Sequence, residues 1–132
     1  MVATMTAPQG KVTHKILVVD DSPTERFFLA DVLARKGYKV ITAENGDDLI
    51  LRIKAEKPTI IIMDVVMPGA SGFQLTRNLS RDPDTQKIPV ILCSSKSNET
   101  DRIWGLRQGA REYLTKPVRP EELLSKIAGL LG

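Results

Sequence analysis

Five apolar runs recur along the chain, and each is followed by a segment whose apolar residues repeat at helical spacing. The first, third and fourth runs are apolar almost throughout, which is typical of strands covered on both faces in a parallel sheet. The second and fifth runs are more mixed, which favours the edges of the sheet. The five predicted strands are Lys15–Asp20, Tyr38–Ala43, Thr59–Asp64, Ile88–Cys93 and Arg111–Thr115.

Helix signals separate these strands. Ser22, Pro23 and Glu25 predict the start of a first helix with a capping box, and Gly37 predicts its end. Strand and helix alternate five times, and right-handed crossovers then give a (βα)5 fold, a doubly wound five-stranded parallel sheet. The other helices are expected from about Asn45–Gly46, after Gly72, over Glu99–Gln108 and from Pro120.

Length and composition restrict the function classes. The chain has 132 residues, so we expect a flexible tail over residues 1–14, one domain over residues 15–132 and no output domain. No apolar run approaches the ~20 residues of a membrane span. The net charge is +3, but the basic residues are scattered, so we expect no nucleic-acid partner. The single cysteine, Cys93, fits a reducing compartment, and we expect a cytoplasmic protein.

Residues suited to chemistry collect at the predicted carboxyl ends of the strands, where sites form in open α/β sheets. The first strand ends in Asp20-Asp21, the third in Asp64, the fourth in Ser94-Ser95 and the fifth in Lys116-Pro117. Two carboxylates about 4 Å apart repel by roughly 4 kcal/mol at an effective dielectric constant of about 20. One lysine does not offset three such groups, so the pattern predicts a hard divalent cation, Mg²⁺ or Mn²⁺.

A divalent cation beside a carboxylate, a hydroxyl and an ammonium group indicates phosphoryl transfer. Asp64 is the best candidate for a nucleophile that forms an acyl phosphate, because it is single and follows the most buried strand. The paired Asp20 and Asp21 are better suited to the metal. Taken alone, two of these residues also have structural interpretations, Asp21 as a helix cap and Asp64 as a strand cap.

Taken together, these segments resemble the response-regulator receiver domains of two-component signalling. The resemblance rests on "VVDDS", "MDVVMPGASG", "PVILCSS" and "YLTKPV", and it covers about Lys15 to Leu131. It implies a flavodoxin-like strand order, 2-1-3-4-5, with Asp64 as the phosphoacceptor. The metal ligands that it implies are Asp20, Asp21, Asp64 and the backbone carbonyl of Val66.

The same resemblance implies roles at the fourth and fifth strands. Ser94 would be the switch hydroxyl, which turns toward the phosphoryl group, and Lys116 would contact that group as well. Tyr113 would be the aromatic residue whose rotamer changes with the switch. The peptide bond between Lys116 and Pro117 is expected to be cis.

A narrower likeness is to the stand-alone PilH-type receivers of type IV pilus twitching motility, carried by "DDSPTE", "GFQLTR" and "ETDRIWGLRQGAREYLTKPV". It implies a histidine kinase, chemotaxis-like or hybrid, as phosphodonor and a downstream target such as a pilus motor or regulator. We expect a monomer or weak dimer that signals by binding and is not a turnover enzyme. Trp104, Arg107 and Arg111 are candidates for a partner face, and a merely solvated surface is the alternative.

Other functions stay open from the sequence. A haloacid-dehalogenase-like aspartyl phosphatase would normally need a second aspartate two residues after Asp64, where this chain has Val66. A flavodoxin-like FMN-binding protein would need a phosphate loop rich in hydroxyls and glycine, where this chain has "DDSPTE". A receiver could also act as a phosphate sink without direct output, or bind partners without being phosphorylated.

Overall fold

The computed structural model describes residues 13–132, so the expected tail over residues 1–14 lies outside the described residues except for Thr13 and His14. Strands and helices alternate five times, as the apolar pattern predicts. The strands are β1 (Lys15–Val19), β2 (Lys39–Ala43), β3 (Ile60–Asp64), β4 (Val90–Ser94) and β5 (Glu112–Thr115). The helices are α1 (Pro23–Arg35), α2 (Leu49–Glu56), α3 (Gly72–Arg81), α4 (Glu99–Arg107) and α5 (Pro120–Leu131).

All strand pairs are parallel, and the order across the sheet is β2-β1-β3-β4-β5. The flavodoxin-like order is therefore confirmed, with the mixed strands β2 and β5 at the edges. β1 and β3 are neighbours although a strand and two helices separate them in sequence. Their carboxyl ends consequently lie side by side at the centre of the sheet.

Alternate residues of the central strands supply two separate apolar cores. Leu17, Ile61 and Leu92 point to the face that also buries Leu49 and Leu75 of α2 and α3. Their chain neighbours face α1 and α5 on the other side of the sheet. Each fully buried aliphatic side chain contributes roughly 1.5–3 kcal/mol relative to an exposed one. Burial on both faces holds the central strands, and the residues at their ends, in fixed positions.

The start of α1 differs in one bond from the predicted capping box. Ser22 Oγ accepts a hydrogen bond from the Glu25 N–H at 3.2 Å, which is the predicted half. The Ser22 N–H, however, donates to Asp20 Oδ1 at 2.9 Å rather than to the Glu25 side chain. The Glu25 carboxylate is thus left available to another partner. The end of α1 is as predicted, with Gly37 at φ 100° just beyond the helix.

The predicted start of the second helix, near Asn45, is wrong. Asn45 Oδ1 accepts a hydrogen bond from the Asp47 N–H at 2.8 Å, which forms a turn. Asp48 then has a left-handed φ of 53°, so helical geometry begins only at Leu49. Asparagine is favoured both in turns and as a helix cap, and the sequence pattern does not separate these two roles.

No helix over residues 13–132 has the length and apolar content that crossing a bilayer requires.

Candidate functional site

The register of the central strands brings Asp20 and Asp64 together. Val19 of β1 pairs with Met63 of β3. The residues that follow this pair, Asp20 and Asp64, therefore meet at the carboxyl edge of the sheet. Neighbouring strands fix both ends. The Asp20 N–H donates to the Ala43 carbonyl of β2 at 3.1 Å. The Val65 N–H, next to Asp64, donates to the Cys93 carbonyl of β4 at 3.0 Å.

Three carboxylates converge at this edge, as the sequence predicts. Asp20, Asp21 and Asp64 each offer a carboxylate oxygen, and these three atoms lie within 4.8 Å of one another. Asp20 and Asp64 are buried, whereas Asp21 is exposed. Such an all-oxygen donor set, open to water on one side, fits a hard cation such as Mg²⁺. Val66 follows in the next loop with an exposed side chain, and its carbonyl as a further ligand stays a prediction.

Lys116 lies in the middle of these acids. Its Nζ is 3.0 Å from Asp64 Oδ1, 3.2 Å from Asp20 Oδ2 and 3.4 Å from Glu25 Oε1. Burial disfavours the ammonium charge, but the contact with Asp64 and the charges of Asp20 and Asp64 outweigh burial and raise the pKa of Lys116. Lys116 is therefore a fixed positive charge beside Asp64 at any physiological pH.

Asp64 itself has an environment different from an ordinary surface carboxylate. Burial raises its pKa, the contact with Lys116 lowers it, and the charge of Asp20 raises it again, with a net upward shift. Its side chain is buried at the end of a strand that is inaccessible over its whole length. A carboxylate held this way has a fixed direction and a reduced hydration shell, which favours its use as a nucleophile over use as a strand cap.

The ends of β4 and β5 are joined by a backbone hydrogen bond. The Lys116 N–H donates to the Ser94 carbonyl at 2.8 Å, and this bond fixes the strand end from which the Lys116 side chain extends. The Lys116–Pro117 peptide is cis. Ser94 is fully buried, and its Oγ accepts a hydrogen bond from the Lys96 N–H at 3.0 Å. The Ser94 hydroxyl thus faces the loop before α4 in this conformation.

Tyr113 connects the same loop to β5. Its hydroxyl donates to the Lys96 carbonyl at 2.8 Å, and burial raises its pKa. Its ring lies against α4 where that helix comes closest to the sheet, because a Cβ atom on Gly105 would lie 3.1 Å from Tyr113 Cδ2. Ser94 and Tyr113 therefore bind the two backbone groups of one residue, Lys96, from two adjacent strands.

Three residues at the site were not predicted to act there. Glu25 contacts Lys116, and Arg26 Nη1 donates to the Asp20 carbonyl at 2.8 Å. Gly72 begins α3 so close to β3 that a Cβ atom would overlap the Asp64 carbonyl oxygen. The sequence signalled Glu25 as a helix cap and Gly72 as a helix start, and neither pattern carries information about the distance to Asp64.

The candidate partner residues lie on the exposed side of α4 and in the loop that follows. Trp104 and Ile103 are 47% and 41% exposed. The buried residue through which α4 approaches the sheet is Gly105. One surface groove runs along this side of α4. It is lined by residues mostly at helical spacing: Thr100, Asp101, Ile103, Trp104 and Arg107. Arg111 is exposed in the loop before β5.

Comparison with known families gives a match over residues 16–128 to the model described as response regulator receiver domain. Protein PilH of Pseudomonas aeruginosa is 52% identical over 118 residues, which cover 89% of this chain and 98% of PilH. This chain is therefore similar to PilH over nearly the full length of both.

Solved structures give the same result. The chemotaxis protein CheY4 of Vibrio cholerae superposes with a TM-score of 0.84 at 28% identity, covering 90% of this chain and 99% of CheY4. The receiver domain of the Pseudomonas aeruginosa sensor histidine kinase PA1611, which has a magnesium ion in its active-site cleft, gives 0.83 at 25% identity, covering 92% and 99%. The fold, the acidic edge and these likenesses agree, and the chain belongs to the response regulator receiver domain family.

Proposed function

We propose that this protein is a response regulator that accepts a phosphoryl group from a histidine kinase on Asp64, with Mg²⁺ or Mn²⁺ as cofactor. The observation that carries the proposal is the position of Asp64, buried between the Lys116 ammonium at 3.0 Å and two further carboxylates within 4.8 Å. A lone strand-capping aspartate needs neither neighbour. Family membership and the 52% identity to PilH support the same function.

The proposed reaction moves one phosphoryl group between two side chains. An Asp64 carboxylate oxygen attacks the phosphorus of the kinase phosphohistidine, an O–P bond forms, and the P–N bond breaks. The imidazole leaves with the electron pair of that bond and takes a proton from water. Lys116 offsets the charge of the phosphoryl oxygens. Asp20, Asp21, Asp64 and the Val66 carbonyl would hold the cation, which neutralises phosphoryl charge when bound.

The proposed output is a change at the loop before α4. A phosphoryl group on Asp64 offers Ser94 Oγ a stronger acceptor, and Ser94 then turns away from the Lys96 N–H that it accepts from here. Tyr113 donates to the carbonyl of the same residue, so its rotamer changes with that loop. A pre-existing equilibrium between two arrangements of α4 and β5 shifts as a result.

The proposed partner face includes Trp104, Arg107 and Arg111, together with the exposed Ile103. An apolar centre beside two guanidinium groups is a composition common in protein interfaces. The proposed partners are a chemotaxis-like or hybrid histidine kinase and a downstream target, such as a pilus motor or regulator, that reads the phosphorylated form. The protein would act in the cytoplasm as a monomer or weak dimer, and by binding rather than by enzymatic turnover.

The pathway that we propose is chemotaxis-like and controls type IV pilus function or taxis. Similarity to PilH over nearly the full length of both proteins, and to the chemotaxis protein CheY4, supports it. A role as phosphate sink is the second candidate, favoured by the likeness to PilH, which is itself matched over 98% of its length. An aspartyl phosphatase is disfavoured because the residue two positions after Asp64 is Val66, which has no acid or base to offer a leaving group.

Phosphotransfer from a cognate autophosphorylated kinase tests the proposal. We expect wild-type protein and the exposed-surface control Asp47→Asn to be labelled in Mg²⁺ and unlabelled in chelator, and Asp64→Asn to remain unlabelled. Labelling of Asp64→Asn at the wild-type rate would sink the assignment. Titration with Mg²⁺, followed by NMR shifts, should saturate at residues of the acidic edge, and a linear drift without saturation would count against the metal site.

A further inference from the structure

Within residues 13–132, Glu25 is the one carboxylate in contact with Lys116 that the proposed reaction does not use. It is the third residue of α1, and its Oε1 lies 3.4 Å from Lys116 Nζ. The usual partner of a glutamate at this position is the N–H of the capping residue. Here the Ser22 N–H donates to Asp20 instead, so the Glu25 side chain extends across to β5.

Lys116 has three N–H donors, and three carboxylates surround them. Two belong to the acidic edge, Asp20 and Asp64, and the third is Glu25 on the α1 side. Lys116 is only 16% exposed, so it cannot reach an anion elsewhere without giving up one of these contacts. A phosphoryl group on Asp64 would be such an anion, and it would compete with Glu25 for the same ammonium.

We propose that Glu25 is a positioning residue that holds the Lys116 ammonium on the α1 side of the pocket. It thereby weakens the ion pair between Lys116 and an anion bound at Asp64. The proposal rests on the phosphoacceptor function given above. Glu25 acts through Lys116 and through its own negative charge near the phosphoryl site. Both effects have the same sign, since both disfavour the phosphorylated state relative to the free carboxylate.

The chain offers a matched control. Glu122 is the third residue of α5, which like α1 begins with proline, and it is exposed. Within residues 13–132 it makes no ion pair. Glu25→Gln and Glu122→Gln therefore remove the same charge from the same helical position. Only Glu25→Gln removes an ion-pair partner of Lys116.

The experiment is a titration with fluoride at fixed beryllium and saturating Mg²⁺, which forms BeF₃⁻, a phosphoryl analogue that binds a carboxylate. Binding is followed by NMR shifts near Ser94 and Lys116. Because Glu25 is about a third exposed, we expect BeF₃⁻ to bind Glu25→Gln about two- to fivefold more tightly than wild type. Glu122→Gln should match wild type, and added salt should reduce the difference.

The outcomes separate this inference from the proposed function. If wild-type protein does not bind BeF₃⁻, the phosphoacceptor function fails. If wild type binds and Glu25→Gln binds equally or more weakly, only the role of Glu25 is overturned. If Glu25 acted only through its charge near the N-terminus of α1, both variants would have equally lowered urea midpoints and unchanged BeF₃⁻ affinity, and the proposed role would be overturned. A separate Mg²⁺ titration of Glu25→Gln gives the Mg²⁺ concentration that saturates this variant. A change in Mg²⁺ affinity then cannot be mistaken for a change in BeF₃⁻ affinity.

Discussion

Replacing Gly72 with alanine should disturb Asp64 without touching its side chain. Gly72 is the first residue of α3, and its N–H donates to the Val65 carbonyl at 2.8 Å. A Cβ atom on Gly72 would overlap the Asp64 carbonyl oxygen and lie 2.9 Å from Val65 Cα. These are backbone atoms, so no side-chain rotation relieves the contact.

The size of the effect follows from these distances. Ordinary contacts of a Cβ atom begin at 3.4 Å, so Val65 Cα alone requires a shift of 3.4 − 2.9 = 0.5 Å. Overpacking of this kind costs about 1–3 kcal/mol, offset by up to about 1 kcal/mol from the better helix propensity of alanine. We expect a net loss of about 1–2 kcal/mol. Misplacement of a reacting group by about 1 Å costs about 100-fold in rate, so we expect phosphorylation to slow by about tenfold.

Urea unfolding and the rate of phosphorylation by phosphoramidate measure the two effects. The control is Gly129→Ala in α5, where a Cβ atom would have no neighbour within 4 Å. This variant should be up to about 1 kcal/mol more stable than wild type and equally reactive. The reasoning is refuted if Gly72→Ala matches Gly129→Ala in both stability and rate.

Three further substitutions or probes test the packing around the site. Thr76 Oγ1 is buried without a hydrogen-bond partner within residues 13–132, so Thr76→Val should raise the free energy of unfolding by about 1 kcal/mol, and a loss would disprove the unpaired hydroxyl. Burial raises the pKa of the Cys93 thiol to about 12, so an aromatic disulfide reagent at pH 8 should label it only after unfolding; rapid labelling of folded protein would contradict this. Ser80 Oγ donates to the Gln108 carbonyl at the end of α4, at 2.9 Å. Ser80→Ala should therefore lower the free energy of unfolding in urea by about 1 kcal/mol and speed amide exchange in α4. Unchanged exchange would show that this contact does not anchor the helix.

The architecture could be predicted from the sequence because burial on two faces leaves a strong apolar signal. Runs such as Ile60–Met63 are apolar at every position, and four such residues followed by a turn signal are typical of a strand between two layers of helices. The start of one helix, α2, was not predictable from the sequence. Asn45 suits both a turn and a cap, and only the fold decides between them, placing the start of α2 at Leu49.

The acidic edge could be predicted because parallel strands end at one edge of the sheet, and the strand order that the receiver resemblance implies brings Asp20, Asp64 and Lys116 together there. Contacts that depend on side-chain direction could not. The capping box around Ser22 accounts for Glu25 without the site, and the contact of the Glu25 carboxylate with Lys116 exists only once α1 and the end of β5 lie side by side in the folded protein. Distances of this kind leave no periodic pattern in the sequence.

Reduction with borohydride tests directly whether Asp64 receives the phosphoryl group. Borohydride reduces the acyl phosphate of a phosphorylated aspartate, which becomes homoserine. Free carboxylates are not reduced. Peptide mass spectrometry then identifies the residue. We expect homoserine at position 64 in phosphorylated, Mg²⁺-treated protein and none in protein incubated with chelator. Homoserine at Asp20 or Asp21, or at no residue of a protein that accepts phosphate, would contradict it.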